Sequence, residues 1–250
     1  MVVQRDHADA SRIAEQAGQA LLELRAHLQA SGADASTIAA EGDRRSHELI
    51  VGCLDEAHPE DPVLSEEAID RSDRLVSRRV WIVDPLDGTR EFGEGRADWA
   101  VHVALVVDRN PVVGAVAIPG DEVLLGTEHP PALPPVGEGP TRVVVSRSRP
   151  PELAFGLVER LEAEMIEMGS AGVKAMAVVR GQADVYIHAG GQYEWDSAAP
   201  VAVALAAGLH ASRVDGSALR YNAADVSLPD LLVCRPELSA KVLALITELG

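Results

Sequence analysis

Several features are scarce in this chain of 250 residues, and each shortage excludes a class of protein. Cys53 and Cys234 are the only cysteines, too few for a disulfide framework, which is typical of a reducing compartment. No apolar run approaches the ~20 residues of a membrane helix, and the first residues lack a signal-peptide core. Basic residues number 22 against 39 acidic ones, and this net charge of −17 disfavours nucleic acid and anionic lipid as partners. We expect a cytoplasmic protein that binds neither nucleic acid nor membrane.

The hydrophobic pattern predicts two parts, an α+β part over residues 1–140 and an α/β part over residues 141–250. The first contains predicted helices at about 9–29 and 49–57, then strands at 80–83, 101–107, 112–118 and 122–126. A segment rich in proline and glycine, 129–140, predicts a surface loop or domain seam. Strands and helices then alternate, with strands at 142–146, 165–168, 183–188 and 231–234 and helices at 151–163, 173–181, 197–207 and 237–249.

The segment Asp84–Thr89, which reads Asp-Pro-Leu-Asp-Gly-Thr, is the most informative stretch for chemistry. Asp84 and Asp87 follow a predicted buried strand, and a rigid turn can aim both carboxylates and the Leu86 carbonyl at one divalent cation. Gly88 allows a ligand to approach the backbone closely. A helix that begins at the end of this segment would add N–H groups for an anion. The alternative is a plain surface turn, since Asp, Pro and Gly all favour turns.

Further carboxylates stand beside other apolar runs. Glu66 and Glu67 follow a short apolar run at 63–65, and Asp196 opens the apolar helix after Trp195. Each has a simpler interpretation: solvated surface acids for the glutamate pair, and a helix N-cap for Asp196. Asp43 likewise suits a cap before the second predicted helix.

Taken together, these segments closely resemble the motifs of the inositol monophosphatase superfamily, which comprises magnesium-dependent, lithium-sensitive phosphatases. The resemblance covers residues 81–92, the Glu66–Glu67 pair and residues 195–199, in the family's order and approximate spacing, and residues 169–172 resemble its Gly-Ser element. Three motifs that occur together are strong evidence, whereas each alone is weak. The resemblance implies a sugar-phosphatase-like fold with αβαβα layers, similar to inositol monophosphatase and fructose-1,6-bisphosphatase.

Within this superfamily the chain is most similar to the CysQ-type branch, especially its actinobacterial members, through residues 146–148, 188–192 and 210–213. That branch implies a 3′(2′),5′-bisphosphate nucleotidase that hydrolyses 3′-phosphoadenosine 5′-phosphate (PAP) to AMP and phosphate during sulfate assimilation. Hydrolysis of inositol-1-phosphate or fructose-1,6-bisphosphate in the same cleft is the alternative reaction. The alternative from another functional class is a protein that binds PAP without catalysis. The sequence does not decide the oligomeric state, and a homodimer is one expectation.

The resemblance also implies a set of roles around two or three Mg²⁺ ions. Glu66, Asp84 and the Leu86 carbonyl would hold one ion, and Asp84, Asp87 and Asp196 a second. Thr89, oriented by Asp43, would activate a metal-bound water, so Asp43, Thr89 and Glu66 are the expected catalytic residues. The expected substrate contacts are Gly88, Thr89, Ser170, Lys174, Tyr193 and Asp196. From its place after Gly169–Ser170, Lys174 is a candidate for the second phosphate of PAP, with Ser146 or Arg147 nearby, and the alternative is a solvated helix lysine. Tyr193 is a candidate to stack on the adenine, and the alternative is packing beside Trp195.

The chain departs from the family pattern at two places. Residues 40–43 read Ala-Glu-Gly-Asp where relatives often have Thr-x-Ala-Asp, and the loop before them is short, so this loop is not expected to recruit a further metal. Ala189 stands seven residues before Asp196, where inositol-selective members have a glutamate that contacts inositol hydroxyls. The second departure favours a nucleotide over inositol as the substrate.

Overall fold

The computed structural model describes residues 2–249, so both end residues of the predicted parts, 1 and 250, lie outside the described residues. The helices are α1 (Gln4–Ala30), α2 (Ala35–Ala57), α3 (Thr89–Gly93), α4 (Glu152–Leu161), α5 (Ala171–Val179), α6 (Glu194–Ala206) and α7 (Pro236–Leu249). The strands are β1 (Val63–Ser65), β2 (Arg79–Asp87), β3 (Ala100–Val107), β4 (Asn110–Ile118), β5 (Val123–Gly126), β6 (Arg142–Ser146), β7 (Glu164–Met168), β8 (Val185–Tyr193), β9 (His210–Ser212) and β10 (Ser227–Cys234). Short 3₁₀ turns lie at Ser72–Val76 and Pro119–Asp121.

The strands form two five-stranded sheets. The first has the order β1-β2-β3-β4-β5, in which only the β1–β2 pair is parallel. The second has the order β7-β6-β8-β10-β9, with parallel pairs on both sides of β6 and antiparallel pairs around β10. β2 and β3 are almost wholly buried, because layers cover both faces of the first sheet.

The helices complete five layers. α1 and α2 cover the outer face of the first sheet, where α1 buries the apolar stripe that includes Ile13, Ala17 and Leu21. α6 contacts strands of both sheets and is apolar nearly all round, since it lies with α5 between them. α4 and α7 cover the far side of the second sheet. The predicted αβαβα layering is confirmed.

Two local predictions were wrong, and both affect the site. α2 begins at Ala35, where Thr37 N–H donates to the N-cap Asp34 at 2.8 Å, so Asp43 lies inside the helix and does not cap it. β2 does not end before Asp84 but continues to Asp87, with an irregularity in its pairing to β3 between the two aspartates. A bulge is one of the few places where a strand accepts a proline, here Pro85.

The segment 127–141 contains no helix or strand, in keeping with the predicted loop. The division into two parts at residue 140 stays a prediction. Helices from the second part pack directly on the first sheet. Across residues 2–249, every helix is too short or too polar to cross a bilayer.

Candidate active site

The end of β2 presents two buried carboxylates to one point. Asp84 is 1% exposed and Asp87 is 7% exposed. The Leu86 N–H donates to Asp84 Oδ1 at 3.1 Å, which fixes the orientation of that carboxylate. Gly88 then turns the chain into α3 with φ of 93°, and a Cβ there would lie 3.2 Å from the Cβ of Trp99, so the position suits only glycine.

A third carboxylate joins them from the middle layer. One oxygen each of Asp84, Asp87 and Asp196 lies within 4.8 Å of the others. Asp196 is the third residue of α6, and its carboxylate accepts the Tyr193 N–H at 2.6 Å. Its predicted capping role therefore coexists with its place in the cluster, although it stands inside the helix and not at the N-cap position.

Glu66 reaches the same place from the neighbouring strand. β1 runs parallel to β2 with Ser65 opposite Val83, so Glu66 follows β1 just as Asp84 continues β2. Its side chain is exposed and lines the cleft in front of the cluster, outside the group of three close carboxylates.

Burial and mutual repulsion raise the pKa values of Asp84, Asp196 and Glu66. Desolvation, together with the charges of Asp87, Glu66 and Asp196, raises the pKa of Asp84 well above its ordinary value. Burial next to Asp87 raises the pKa of Asp196 to about 6. The cleft walls remove part of the hydration of Glu66, and with Asp196 nearby its pKa rises to about 7. Such a set of oxygen ligands, short of positive charge, fits a hard divalent cation, so the cluster can hold a metal.

Asp87 differs because the protein supplies its counter-charges. It accepts the Ser170 hydroxyl and the N–H groups of Ala171, at 3.0 Å, and Gly172, at 2.6 Å, at the start of α5. His102 Nε2 lies 3.3 Å from its carboxylate. Burial opposes ionisation of Asp87, but His102, Lys174 and the Ser170 hydrogen bond outweigh it and hold the pKa well below its ordinary value.

His102 is a site residue that the sequence reasoning missed. It is fully buried on β3, and its Nδ1 donates to the Trp195 carbonyl at 3.1 Å, one residue before Asp196. Gly172 makes room for the ring, since a Cβ there would lie 2.0 Å from Nε2. A histidine inside an apolar strand was the available signal, but only the packing of α5 and α6 shows what it contacts.

The predicted Asp43–Thr89 pair meets beside the cluster. Thr89 Oγ1 lies 3.2 Å from Asp43 Oδ1 and 3.0 Å from the Leu86 carbonyl, and it can donate its one proton to either. Burial, reinforced by the charge of Glu67, raises the pKa of Asp43 to about 7. A carboxyl that titrates near neutrality can exchange a proton at physiological pH.

Glu66, Asp87 and Asp196 line a cleft of about 700 Å³. Lys174 lines it and is 4% exposed, and its ammonium donates to the carbonyls of Gly169, at 3.1 Å, and Ser170. Burial lowers the pKa of Lys174 to about 8. Other polar residues that line the cleft are Arg90, Glu91, Ser146, Ser148, Arg149, His188, Gln192, Tyr193 and Ser227.

Of the residues predicted beside Lys174 for the second phosphate, Ser146 lines the cleft and Arg147 does not. Arg147 is turned away into ion pairs with Glu91, at 3.4 Å, and Asp98, whereas Arg149 lines the cleft. Tyr193 is half exposed in the cleft, and its ring stacks on that of Trp195 with centroids 4.9 Å apart and planes at 15°, so it packs against Trp195 and still offers an aromatic surface.

Comparison with known proteins agrees with this geometry. The Inositol monophosphatase family matches residues 4–132 and 136–249. The 3′-phosphoadenosine 5′-phosphate phosphatase of Mycobacterium tuberculosis is 48% identical over 242 residues, 93% of this chain and 90% of that protein. The 3′(2′),5′-bisphosphate nucleotidase CysQ of Escherichia coli is 33% identical, over 84% of this chain and 91% of its own. The solved CysQ of Bacteroides thetaiotaomicron, at 28% identity, superposes with a TM-score of 0.79 and covers 93% of this chain and 97% of its own.

Proposed function

The chain belongs to the inositol monophosphatase family, and we propose that it removes the 3′-phosphate of PAP, releasing AMP and inorganic phosphate. It is a phosphatase of the 3′(2′),5′-bisphosphate nucleotidase type, as its curated relatives are. One observation carries the proposal: Asp87 and Asp196, whose carboxylates lie within 4.8 Å of each other and of the buried Asp84, line a cleft that also contains Lys174 and Arg149. Cations held by the carboxylates would bind one phosphate, and the basic side chains would bind another. This arrangement suits a nucleotide with two separate phosphates.

We propose Mg²⁺ as the cation, in two or three ions per site. Glu66, Asp84 and the Leu86 carbonyl would hold one, and Asp84, Asp87 and Asp196 another. When bound, the ions lower the pKa of water and stabilise charge on the attacking and leaving oxygens. The all-oxygen ligand set supports magnesium over zinc, which prefers nitrogen and sulfur.

Asp43 and Thr89 are proposed to manage the proton of the attacking water. Thr89 Oγ1 can accept a hydrogen bond from the water while its own hydroxyl proton points to Asp43 Oδ1, 3.2 Å away. Because the pKa of Asp43 is raised to about 7, the ionised carboxyl can take up the Thr89 proton while Thr89 takes one from the water, as the new phosphorus–oxygen bond forms and the bond from phosphorus to the ribose 3′-oxygen breaks. No covalent bond between protein and phosphate is needed.

The remaining residues would bind the substrate. The N–H groups of Gly88 and Thr89 would contact the scissile phosphate, with Ser170 and Asp196 bordering it. Lys174 would supply positive charge for the second phosphate from its position beneath the cleft, where two of its donors already bind carbonyls. Arg149 lines the cleft and adds a second cation for this phosphate. Tyr193 would stack on the adenine.

Inositol-1-phosphate and fructose-1,6-bisphosphate remain the competing substrates. Ala189 offers no carboxylate for inositol hydroxyls, and it occupies β8 beside the cleft. A PAP-binding protein without catalysis is the competing function, but a binder has no need for the Asp43–Thr89 hydrogen bond. A cytoplasmic location, a homodimer and inhibition by lithium stay predictions.

A parallel phosphate-release screen tests the proposal. PAP, 3′-AMP, inositol-1-phosphate and fructose-1,6-bisphosphate are compared at equal concentration, with Mg²⁺ and with EDTA. We expect PAP to give the highest kcat/KM and EDTA to abolish release. Faster hydrolysis of inositol-1-phosphate would contradict the substrate assignment, and tight PAP binding without phosphate release would identify a binding protein.

A further inference from the structure

The segment that carries Glu66 is anchored by a single buried side chain. Arg74 is the one buried residue between Ser65 and Val80, at 1% exposure. The large apolar side chains of the segment are all exposed, Ile69 to 93%, Val76 to 89% and Leu75 to 42%. Beyond β1, the position of Glu66 therefore depends on what the Arg74 guanidinium contacts.

Arg74 connects this segment to the other half of the chain. Its Nε and Nη2 donate to both oxygens of Asp70, at 2.6 and 2.7 Å, which closes the segment on itself. Its Nη1 donates to Asn222 Oδ1 at 2.7 Å and to the Ala223 carbonyl at 2.9 Å. Asn222 Nδ2 returns a bond to the Arg74 carbonyl at 2.8 Å. These bonds hold the segment against the 221–223 turn.

That turn is held in its place by Glu194, the first residue of α6. The Glu194 side chain is fully buried and accepts the N–H groups of Asn222, at 2.5 Å, and Ala223, at 2.7 Å. Asn222 has a φ of 59°, a left-handed conformation that these two bonds help to maintain. Glu194 stands two residues before Asp196 on the same helix.

We propose that Arg74, Asn222 and Glu194 form a relay that positions Glu66 against Asp196 across the metal cleft. The three touch neither substrate nor cation; they are positioning residues. Each charged group in the relay is buried and bonded on two sides, so displacing one partner leaves the next unsatisfied. The relay thereby fixes the spacing between a carboxylate from the first sheet and one from the middle layer. It rests on the proposed function only in assuming that these carboxylates hold a cation.

The first test needs neither metal nor substrate. Hydrogen–deuterium exchange is measured on the metal-free protein and on Glu194→Gln, whose amide cannot accept both N–H groups. We expect faster exchange in residues 66–77, although the substitution lies on α6. Asn222→Gly, which keeps the left-handed backbone and removes the bonds to Arg74, should do the same. Unchanged exchange of residues 66–77 in both variants, with thermal melts confirming that they fold, would overturn the relay.

The second test is calorimetric titration with Mg²⁺ in the absence of substrate. Arg74→Met should weaken Mg²⁺ binding roughly tenfold, the scale seen when outer partners of metal ligands are removed. Arg71→Met is the matched control, because Arg71 is on the same segment but 79% exposed and paired only with exposed Asp73. Wild-type affinity in Arg74→Met would overturn the relay even if PAP is hydrolysed. Conversely, wild-type protein that binds Mg²⁺ but does not hydrolyse PAP would refute the proposed function and leave the relay standing.

Discussion

Thr89 Oγ1 donates to Asp43 Oδ1 across 3.2 Å, joining the start of α3 to the interior of α2, 46 residues earlier in the chain. Gly42 makes this approach possible, because a Cβ there would lie 2.7 Å from the Phe92 ring and 2.9 Å from Leu86. The small residue next to Asp43 therefore lets α2 pack directly on the turn that follows Asp87. We expect any larger residue at position 42 to separate the pair.

Asp43→Asn tests the proton-accepting role. The amide keeps the shape and can still meet Thr89, but it cannot take a proton, so we expect kcat to fall by about 10²–10⁴, the range for loss of a general base. Mg²⁺ affinity should change little, because Asp43 is outside the close cluster of three acids. Steady-state kinetics and calorimetry measure the two effects. Glu48→Gln, on an exposed part of α2, is the control, and equal losses in both variants would contradict the assignment.

Asp84→Asn should nearly abolish turnover and leave the metal-free fold intact or more stable. The asparagine oxygen can still accept the Leu86 N–H, and the substitution removes a carboxyl whose ionisation is opposed by burial and by the charge of Asp87. Phosphate release measures the loss, and urea unfolding in EDTA measures the stability. Activity near that of wild type at saturating Mg²⁺ would disprove its role as a shared ligand.

The metal-free protein should lose stability as the pH rises from about 5 to about 8. The pKa of Asp196 is raised to about 6, and the pKa values of Asp43 and Glu66 are raised to about 7. In this window the folded protein holds protons that the unfolded chain has released, so the free energy of unfolding decreases with pH. Saturating Mg²⁺ should remove or reverse the trend, because it favours the ionised acids. Melting temperatures across this range check the sign, and a stability that rises with pH in EDTA would contradict it.

Arg149→Ala should harm PAP hydrolysis much more than 3′-AMP hydrolysis. The two substrates differ only in the 5′-phosphate, and one charge-assisted contact to it contributes about 1.5–3 kcal/mol, or roughly tenfold to hundredfold in kcat/KM. Lys174→Ala should lower both rates, because Lys174 also binds the Gly169 and Ser170 carbonyls. These carbonyls lie next to the groups that donate hydrogen bonds to Asp87. The ratio of kcat/KM for the two substrates is the readout. An unchanged ratio in both variants would place the second phosphate elsewhere.

The sequence alone determined the layered architecture and the order of the acidic motifs. Helical and strand periodicities are local properties, so they predicted most elements. The Asp84–Thr89 segment indicated a metal site because its ligand residues are adjacent in the chain. The errors arose where local signals conflicted. The first half of α2 has few apolar residues, and Pro85 predicts the end of a strand that a bulge in fact continues.

The tertiary structure alone decided the partners of these acids. His102 lies beneath Asp87, Arg149 and not Arg147 faces the cleft, and Arg74 reaches Asn222 from 148 residues away. None of these follows from spacing along the chain, because each partner comes from a different layer and is set by how the layers pack. The pKa values of the site acids also depend on the tertiary structure and not on the motif alone. An aspartate in a motif predicts a ligand, but burial and the surrounding charges decide that the pKa of Asp87 lies below its ordinary value while the pKa of Asp84 lies above it.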